Sequence, residues 1–491
     1  MKLVLNGHDE RYIVEQSLMN LFPGELPVYE PIAPEDETWA VISLQEDADR
    51  CHVTTELSYH GKALPCSYDC VLSGTEFERE GQRRHAVAAS FFLAAQKLTG
   101  ITPPWGMLTG VRPDKPVTWA LAEGKSLQEA RDLLEQHYFV TPERASLALE
   151  TGAAALTAAR KLGPKDIAVY VGIPFCPTRC AYCSFVSHSV ERSFSLVPPY
   201  VEALIEEIRA GGKMVREQGL TCRAFYMGGG TPTTLTAEQM DGVLTAFEEF
   251  FDLESCEEIT VEAGRPDTIT AEKLAVLKSH GVTRVSVNPQ TMEDHVLSAI
   301  GRRHTAGDIE RAMELVKAYD FPHVNMDLIA GLPEDTPEGF RRSLDRCLEF
   351  GTDNVTVHTL ALKKGSRILL EGLAIPGPED VAAMLDYASP VLRQAGYQPY
   401  YLYRQKYMSG SFENIGWSKS GAECWYNIYI MSELCSILSF GAGGSTKMVE
   451  PGTNHIERVF NLKYPKEYTE RPEKCTANQE AFAAFYETLN L

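Results

Sequence analysis

No stretch of the 491 residues stays apolar for the ~20 positions a bilayer-spanning helix needs, so the sequence predicts no membrane span. The opening MKLVLNGHDERY turns charged within a few residues, too soon for the apolar core of a secretory signal, and a cytoplasmic location is expected. Positive charge is also scarce. Against 67 Asp and Glu stand 46 Lys and Arg, a formal net charge of -21 that argues against a broad nucleic-acid-binding face while leaving room for a local basic patch. With no export signal, the 12 cysteines are expected as thiols rather than a disulfide framework. Core material is not lacking: 44% of residues are hydrophobic and 23% charged, in a chain long enough for two or three domains.

The most informative shortage is a missing fourth ligand. Cys176-Pro-Thr-Arg-Cys180-Ala-Tyr182-Cys183 follows an apolar run, Ile167 to Phe175, and puts three thiols on one short loop. A structural zinc site closes its shell with four N or S ligands. Three cysteines on a [4Fe–4S] cluster leave one iron open to something that is not protein. The competing readings are a partial zinc site or three unrelated core cysteines. A second CxxxC, Cys66 and Cys70, has no further ligand nearby, so incidental cysteines are expected there rather than an extra metal or redox site.

The rhythm of the chain gives its organisation. Residues 1–105 read as a small α+β domain, with strands near Met1–Leu5, Trp39–Leu44 and His52–Leu57 and a helix over Gln82–Leu98. Residues 106–165 read as a helical connector, with helices expected over Ser126–His137 and Thr141–Leu162. From 166 to 361 the pattern becomes strand, turn, helix, repeated. Apolar or β-branched runs at Ile167–Ile173, Ala224–Met227, Glu258–Val261, Arg284–Val287, Val324–Ile329 and Asn354–Leu360 alternate with helical spacing. The fold class predicted is α/β: a partial (β/α)6 barrel between an N-terminal α+β domain and a C-terminal α+β extension, 362–491, that covers the substrate. In such barrels functional groups gather at the C-terminal strand ends.

Every motif falls at those ends. Gly228-Gly229-Gly230-Thr231-Pro232 closes the second strand, where glycines let a ligand approach and their N–H groups can form an anion-binding concavity. Glu262 ends the third strand, Gln290 follows the fourth, Arg302 lies one helix later, and Asp327 ends the fifth. Tyr170 stands six residues before Cys176. A buried ion pair of Arg302 with Glu262 or Asp327 is the competing structural reading. Past the barrel, Tyr397 to Met408 is dense in aromatics and cations, suited to a planar ligand with carboxylate arms or, equally, to packing a lid.

In this order and spacing the chain resembles the radical S-adenosylmethionine (SAM) enzymes. From PFCPTRCAYCSF, GGGTPT, NPQTM, GRRHT and MDLIAGLP to FENIGWSKSGAECWYN it resembles the HemZ branch of oxygen-independent coproporphyrinogen III oxidase-like proteins, over about residues 165–450. The resemblance implies a [4Fe–4S] cluster on Cys176, Cys180 and Cys183. It implies SAM held by Tyr170, Tyr182, Gly228, Gly229, Gly230, Thr231, Glu262, Gln290, Arg302 and Asp327. The implied reaction is oxidative decarboxylation of coproporphyrinogen III to protoporphyrinogen IX in haem biosynthesis. Its partners would be a tetrapyrrole and an electron donor such as flavodoxin or ferredoxin, and Arg404 and Lys406 are candidate carboxylate holders. Two departures stand out: relatives read YVHIPFC where this chain has Gly172, and they carry a further cysteine where it has Phe185. These keep open a haem-binding chaperone of the same family, or radical chemistry on another tetrapyrrole.

Overall fold

The computed structural model describes residues 1–183, 188–363, 365–405, 410 and 412–489. Phe185 and Lys406, two positions raised by the sequence, lie outside the described residues. The chain divides into two compact units, Met1–Leu149 and Glu150–Leu491.

In the first unit, four strands form one sheet in sequential order: β1 (Lys2–Asn6), β2 (Trp39–Asp47), β3 (Arg50–Tyr59) and β4 (Lys62–Val71). β1 runs parallel to β2 and the other pairings are antiparallel. The helices Arg11–Leu21 and Glu76–Thr99 bury Val14, Leu18, Val87, Phe91 and Phe92 against Ile42, Val53 and Leu57 of the sheet. Full burial of each phenylalanine is worth roughly 1.5–3 kcal/mol. The long helix begins six residues before the predicted Gln82, because Thr75 and Glu78 form a capping box, and it ends on Gly100 in the left-handed conformation at φ 72°. Cys66 is buried with Lys97 Nζ 3.5 Å from its sulfur, and Cys70 lies across the ladder from Cys51. None of these cysteines is disulfide-bonded.

The second unit holds the barrel. Its strands are β5 (Asp166–Ile173), the two-residue pair β6 (Phe175–Cys176) and β7 (His188–Ser189), then β8 (Thr221–Gly229), β9 (Glu258–Glu262), β10 (Arg284–Ser286), β11 (His323–Ala330) and β12 (Asn354–Thr359). Beyond them come β13 (Gln398–Tyr403), β14 (Asn414–Ser418), β15 (Ser436–Phe440), β16 (Ser445–Val449) and β17 (Ile456–Phe460). β5, β8, β9, β10, β11 and β12 are neighbours in that order and all parallel, which is the six-stranded partial barrel. Buried on both faces, these strands read as apolar runs.

The connecting helices start on threonine caps: Thr236, Thr270, Thr305 and Thr336 each accept a backbone N–H in the first turn. The C-terminal extension does more than cover the barrel. β14 and β13 add antiparallel strands beside β12, and β15 adds a parallel strand beside β5, followed by β16 and β17. Both edges of the six parallel strands are thereby paired.

Candidate functional site

At the end of β5 the chain enters the cysteine loop, which is pinned to its surroundings by backbone. The Ala181 N–H donates to the Ile300 carbonyl at 2.9 Å, and Thr178 Oγ1 donates to Gly301 O at 3.1 Å. Cys176, Cys180 and Cys183 open onto one cavity of about 670 Å³ running through the barrel, a volume in the range of small-molecule sites. Among the described residues no three Cys, His, Asp or Glu side chains are drawn onto a common metal centre. Cys180 instead faces Arg265, whose Nη1 lies 3.8 Å from its sulfur. Burial pushes this thiol up, but the guanidiniums of Arg302 and Arg265 outweigh it and leave Cys180 below the ordinary thiol range.

The predicted residues converge on the same cavity: Tyr170, Tyr182, Gly229, Gly230, Thr231, Glu262, Gln290, Arg302 and Asp327 all line it. Gly228 does not. A Cβ there would sit 2.9 Å from the Tyr226 ring and 3.1 Å from the Glu262 carboxyl carbon, so its bareness makes room for that pair. The expectation of an open anion-binding concavity at the glycine run needs correction. The N–H groups of Gly230 and Thr231 donate to Ile173 O and Phe175 O, both at 2.7 Å. A Cβ on Gly230 would stand 2.5 Å from Phe175 O. The glycines let the end of β8 lie directly on the backbone leading to the cysteines.

Arg302 is buried and fixed, donating to Asn288 O at 2.5 Å and to the Tyr182 hydroxyl at 3.2 Å. The competing ion pair with Glu262 or Asp327 does not form among the described residues. Glu262 accepts a short hydrogen bond from Tyr226 Oη. Burial, reinforced by the nearby Asp327 carboxylate and opposed by Tyr226 and His358, pushes Glu262 up to about 7. Asp327 goes the other way: burial would raise it, but His358 together with Asn325 and Thr356 holds it below the usual range. The two carboxyls of this wall thus sit in opposed environments, one pushed up and the other held down.

Several wall residues escaped the sequence reading. Arg265, three residues after Glu262, is buried and joins Asp267 at 3.1 Å to Thr178 Oγ1 at 3.1 Å and to Cys180. Tyr226 stacks on Tyr426 at 4.5 Å between centroids, and Tyr170 stacks on Tyr426 at 6.2 Å. Tyr426, in an aromatic stretch the sequence does mark, comes from the helix Trp425–Ser432, and its contact with the barrel tyrosines is one no local pattern announces. In the aromatic tract, Tyr400, Tyr401 and Tyr403 pack the sheet and also line the cavity. Arg404 does not reach the cavity. It follows the end of β13, where burial, opposed by Glu413, lowers it to about 10.

Comparison with known proteins agrees with this geometry. The Radical SAM superfamily pattern matches residues 170–347. HemZ of Bacillus subtilis, an oxygen-independent coproporphyrinogen-III oxidase-like protein, is 36% identical over 485 residues, covering 97% of this chain and 96% of its own. The heme chaperone HemW of Haemophilus influenzae is 28% identical over 310 residues, covering 63% of this chain and 76% of its own. Among solved structures, the coproporphyrinogen III oxidase HemN from Escherichia coli shares the fold with a TM-score of 0.52 at 22% identity, over 68% of this chain and 73% of that one. The chain belongs to the radical SAM superfamily, among the HemZ-like, oxygen-independent coproporphyrinogen-III oxidase-like proteins.

Proposed function

We propose that the chain is a radical SAM oxidoreductase that decarboxylates coproporphyrinogen III oxidatively to protoporphyrinogen IX, with an electron donor such as flavodoxin or ferredoxin to start the cleavage of SAM and an external acceptor for the electron left on the substrate once a hydrogen atom and CO2 have gone. Superfamily membership implies a [4Fe–4S] cluster and SAM, and the residues present fit them. Three thiols share the cavity wall. The buried amide oxygens Asn288 Oδ1 and Gln290 Oε1 have no hydrogen-bond partner among the described residues, and so offer acceptors to a ligand bearing N–H and O–H groups. The group would be held by Cys176, Cys180 and Cys183, with Tyr170, Glu262, Gln290, Arg302 and Asp327 around the SAM. When bound, it supplies the one-electron chemistry that cleaves SAM and takes a hydrogen atom from substrate.

The chain's own residues do the rest. Arg265 favours the thiolate of Cys180, a metal ligand only when deprotonated. Arg302 orients Tyr182 beside the third cysteine. Glu262, poised near neutrality, can take up or release a proton, while Tyr226, whose own proton burial holds firmly, donates the hydrogen bond to its Oε1. The stacked rings of Tyr170, Tyr426 and Tyr226 keep bulk water out. The observation that carries the reading is the convergence of the thiols and the motif residues from five strand ends on one cavity.

The test is anaerobic. The cluster is reconstituted, dithionite, SAM and coproporphyrinogen III are added, and 5′-deoxyadenosine and decarboxylated porphyrin are followed by mass. Both are expected in proportion, and both vanish in Cys180→Ala. Slow deoxyadenosine with no porphyrin product, alongside stoichiometric haem binding, refutes the oxidase reading and supports a chaperone role, the function named for HemW.

A further inference from the structure

A ligand with several carboxylate arms needs a cation that is not already engaged, and the charges of the cavity wall narrow the choice. Its guanidiniums belong to Arg265, Arg284 and Arg302, and each has its terminal nitrogens engaged by groups of the protein. Arg265 is bonded to Asp267 and Thr178. Arg284 is paired with Glu258 at 3.2 Å and also donates to the carbonyls of Ala422 and Glu423. Arg302 is held by Asn288 O and the Tyr182 hydroxyl. All three are less than a tenth exposed and cannot swing to meet an incoming group.

Lys363 also lines the cavity, beyond the end of β12, and among the described residues its ammonium forms no ion pair. It is half-buried on a flexible stem, with three donors to offer. The wall also carries two acids, Glu262 and Asp327, that would repel a carboxylate. His358, on β12 itself, has Nε2 3.8 Å from Asp327 Oδ2. Tyr401 and Tyr403 on β13, and Gln405 just past its end, line the cavity on the same side of the sheet order as β12. That side therefore combines flat rings with the one uncommitted wall cation among the described residues.

We propose that Lys363 anchors a carboxylate arm of the tetrapyrrole, and that His358 is the positioning residue that keeps the Asp327 carboxylate engaged and away from that arm. This rests on the tetrapyrrole reading above.

The experiment uses the full chain and two porphyrins in parallel, titrated by Soret absorbance without SAM. Coproporphyrin III carries four propionates; an octaalkyl porphyrin carries none. Lys363→Gln is expected to weaken coproporphyrin III binding on the order of tenfold or more, the loss of a charge-assisted hydrogen bond. Lys363→Arg restores most of it, and the octaalkyl porphyrin binds wild type and both variants alike. His358→Ala weakens coproporphyrin III severalfold, and Asp327→Asn in the same chain restores the affinity, a rescue that a purely structural role would not show. Coproporphyrin III binding within twofold of wild type in Lys363→Gln overturns the anchor, as does equal loss of both porphyrins, and leaves the tetrapyrrole reading standing. If wild type binds coproporphyrin III no better than an unrelated protein does, the tetrapyrrole reading falls and takes the anchor with it.

Discussion

Removing the charge of Glu258 should loosen the floor of the barrel. Its carboxylate and the Arg284 guanidinium are 3% and 2% exposed, and Oε2 accepts from Arg284 Nη2 at 3.2 Å. The same carboxylate accepts the N–H groups of Trp425 at 3.1 Å and Tyr426 at 3.4 Å, and the Cys424 thiol at 3.0 Å. Arg284 in turn donates to Asn354 Oδ1 and to Ala422 O at 3.0 Å. In Glu258→Gln the geometry survives but a guanidinium is left buried without its counter-charge, a change that costs roughly 3–5 kcal/mol. Arg284→Met leaves the opposite charge behind, cushioned by the N–H donors that remain. The double variant should resemble the worse single rather than their sum, giving a coupling energy of about 2–3 kcal/mol.

Hydrogen exchange reads this locally. Because about 1.4 kcal/mol is a factor of ten, amides of Trp425–Ser432 should exchange roughly 100-fold to 1,000-fold faster in Glu258→Gln, while β1–β4 are unchanged. Exchange at those amides equal to wild type, or strictly additive losses in the two single variants, would refute the argument. Loosening that helix also frees Tyr426, so substrate binding should weaken with it.

Two further outcomes follow from the site. The proton on Glu262 is held more tightly in the folded protein than in the unfolded chain, with a folded value of about 7 against an ordinary 4.5. Its contribution is therefore fully present below the ordinary value and lost as pH rises through 7. Without cofactor, wild-type stability should fall between those values by up to about 3 kcal/mol relative to Glu262→Gln, measured by urea titration at stepped pH; parallel curves, or a rise, would sink this. Gly230→Ala should either unfold the second unit or push β8 off the β5–β6 backbone, since its Cβ meets Phe175 O at 2.5 Å and Ile173 O at 2.9 Å. Thermal unfolding at wild-type temperature with intact cluster loading would contradict it.

The barrel was legible because six parallel strands buried on both faces leave apolar runs cut by glycine and proline, and each predicted run falls on a strand of the structure, two of them running one residue past its end at Val287 and Leu360. The first unit was harder. The helix Arg11–Leu21 mixes Glu15, Gln16 and Asn20 into a weak stripe, and β4, with Pro65 and alternating polar residues, lacks the β-branched density of its neighbours. The start of Glu76–Thr99 carried a signal that was passed over, the T-x-x-E of a capping box.

At the site, motif residues attached to strand ends were readable one by one. Their neighbours were not, because Tyr226, Arg265 and Tyr426 owe their places to tertiary contacts. The 36 residues from Tyr226 to Glu262 close into one hydrogen bond, and nothing within either strand foretells it. The glycine run misled for a related reason: its N–H groups look available in sequence, and only the approach of β5 and β6 shows them already in use.

The placement of β14 and β15 has a consequence for biogenesis. Until residues 414–440 have left the ribosome, β12 and β5 each present a row of unmatched amide and carbonyl groups, the kind of template on which chains pair with strangers. The nascent barrel must therefore wait through the synthesis of more than 50 residues after β12 before either margin can be sealed. A chain stopped within that interval is expected to depend on chaperones and to aggregate without them, although Cys176, Cys180, Cys183 and the motif residues on the ends of β8, β9 and β11 have already been made.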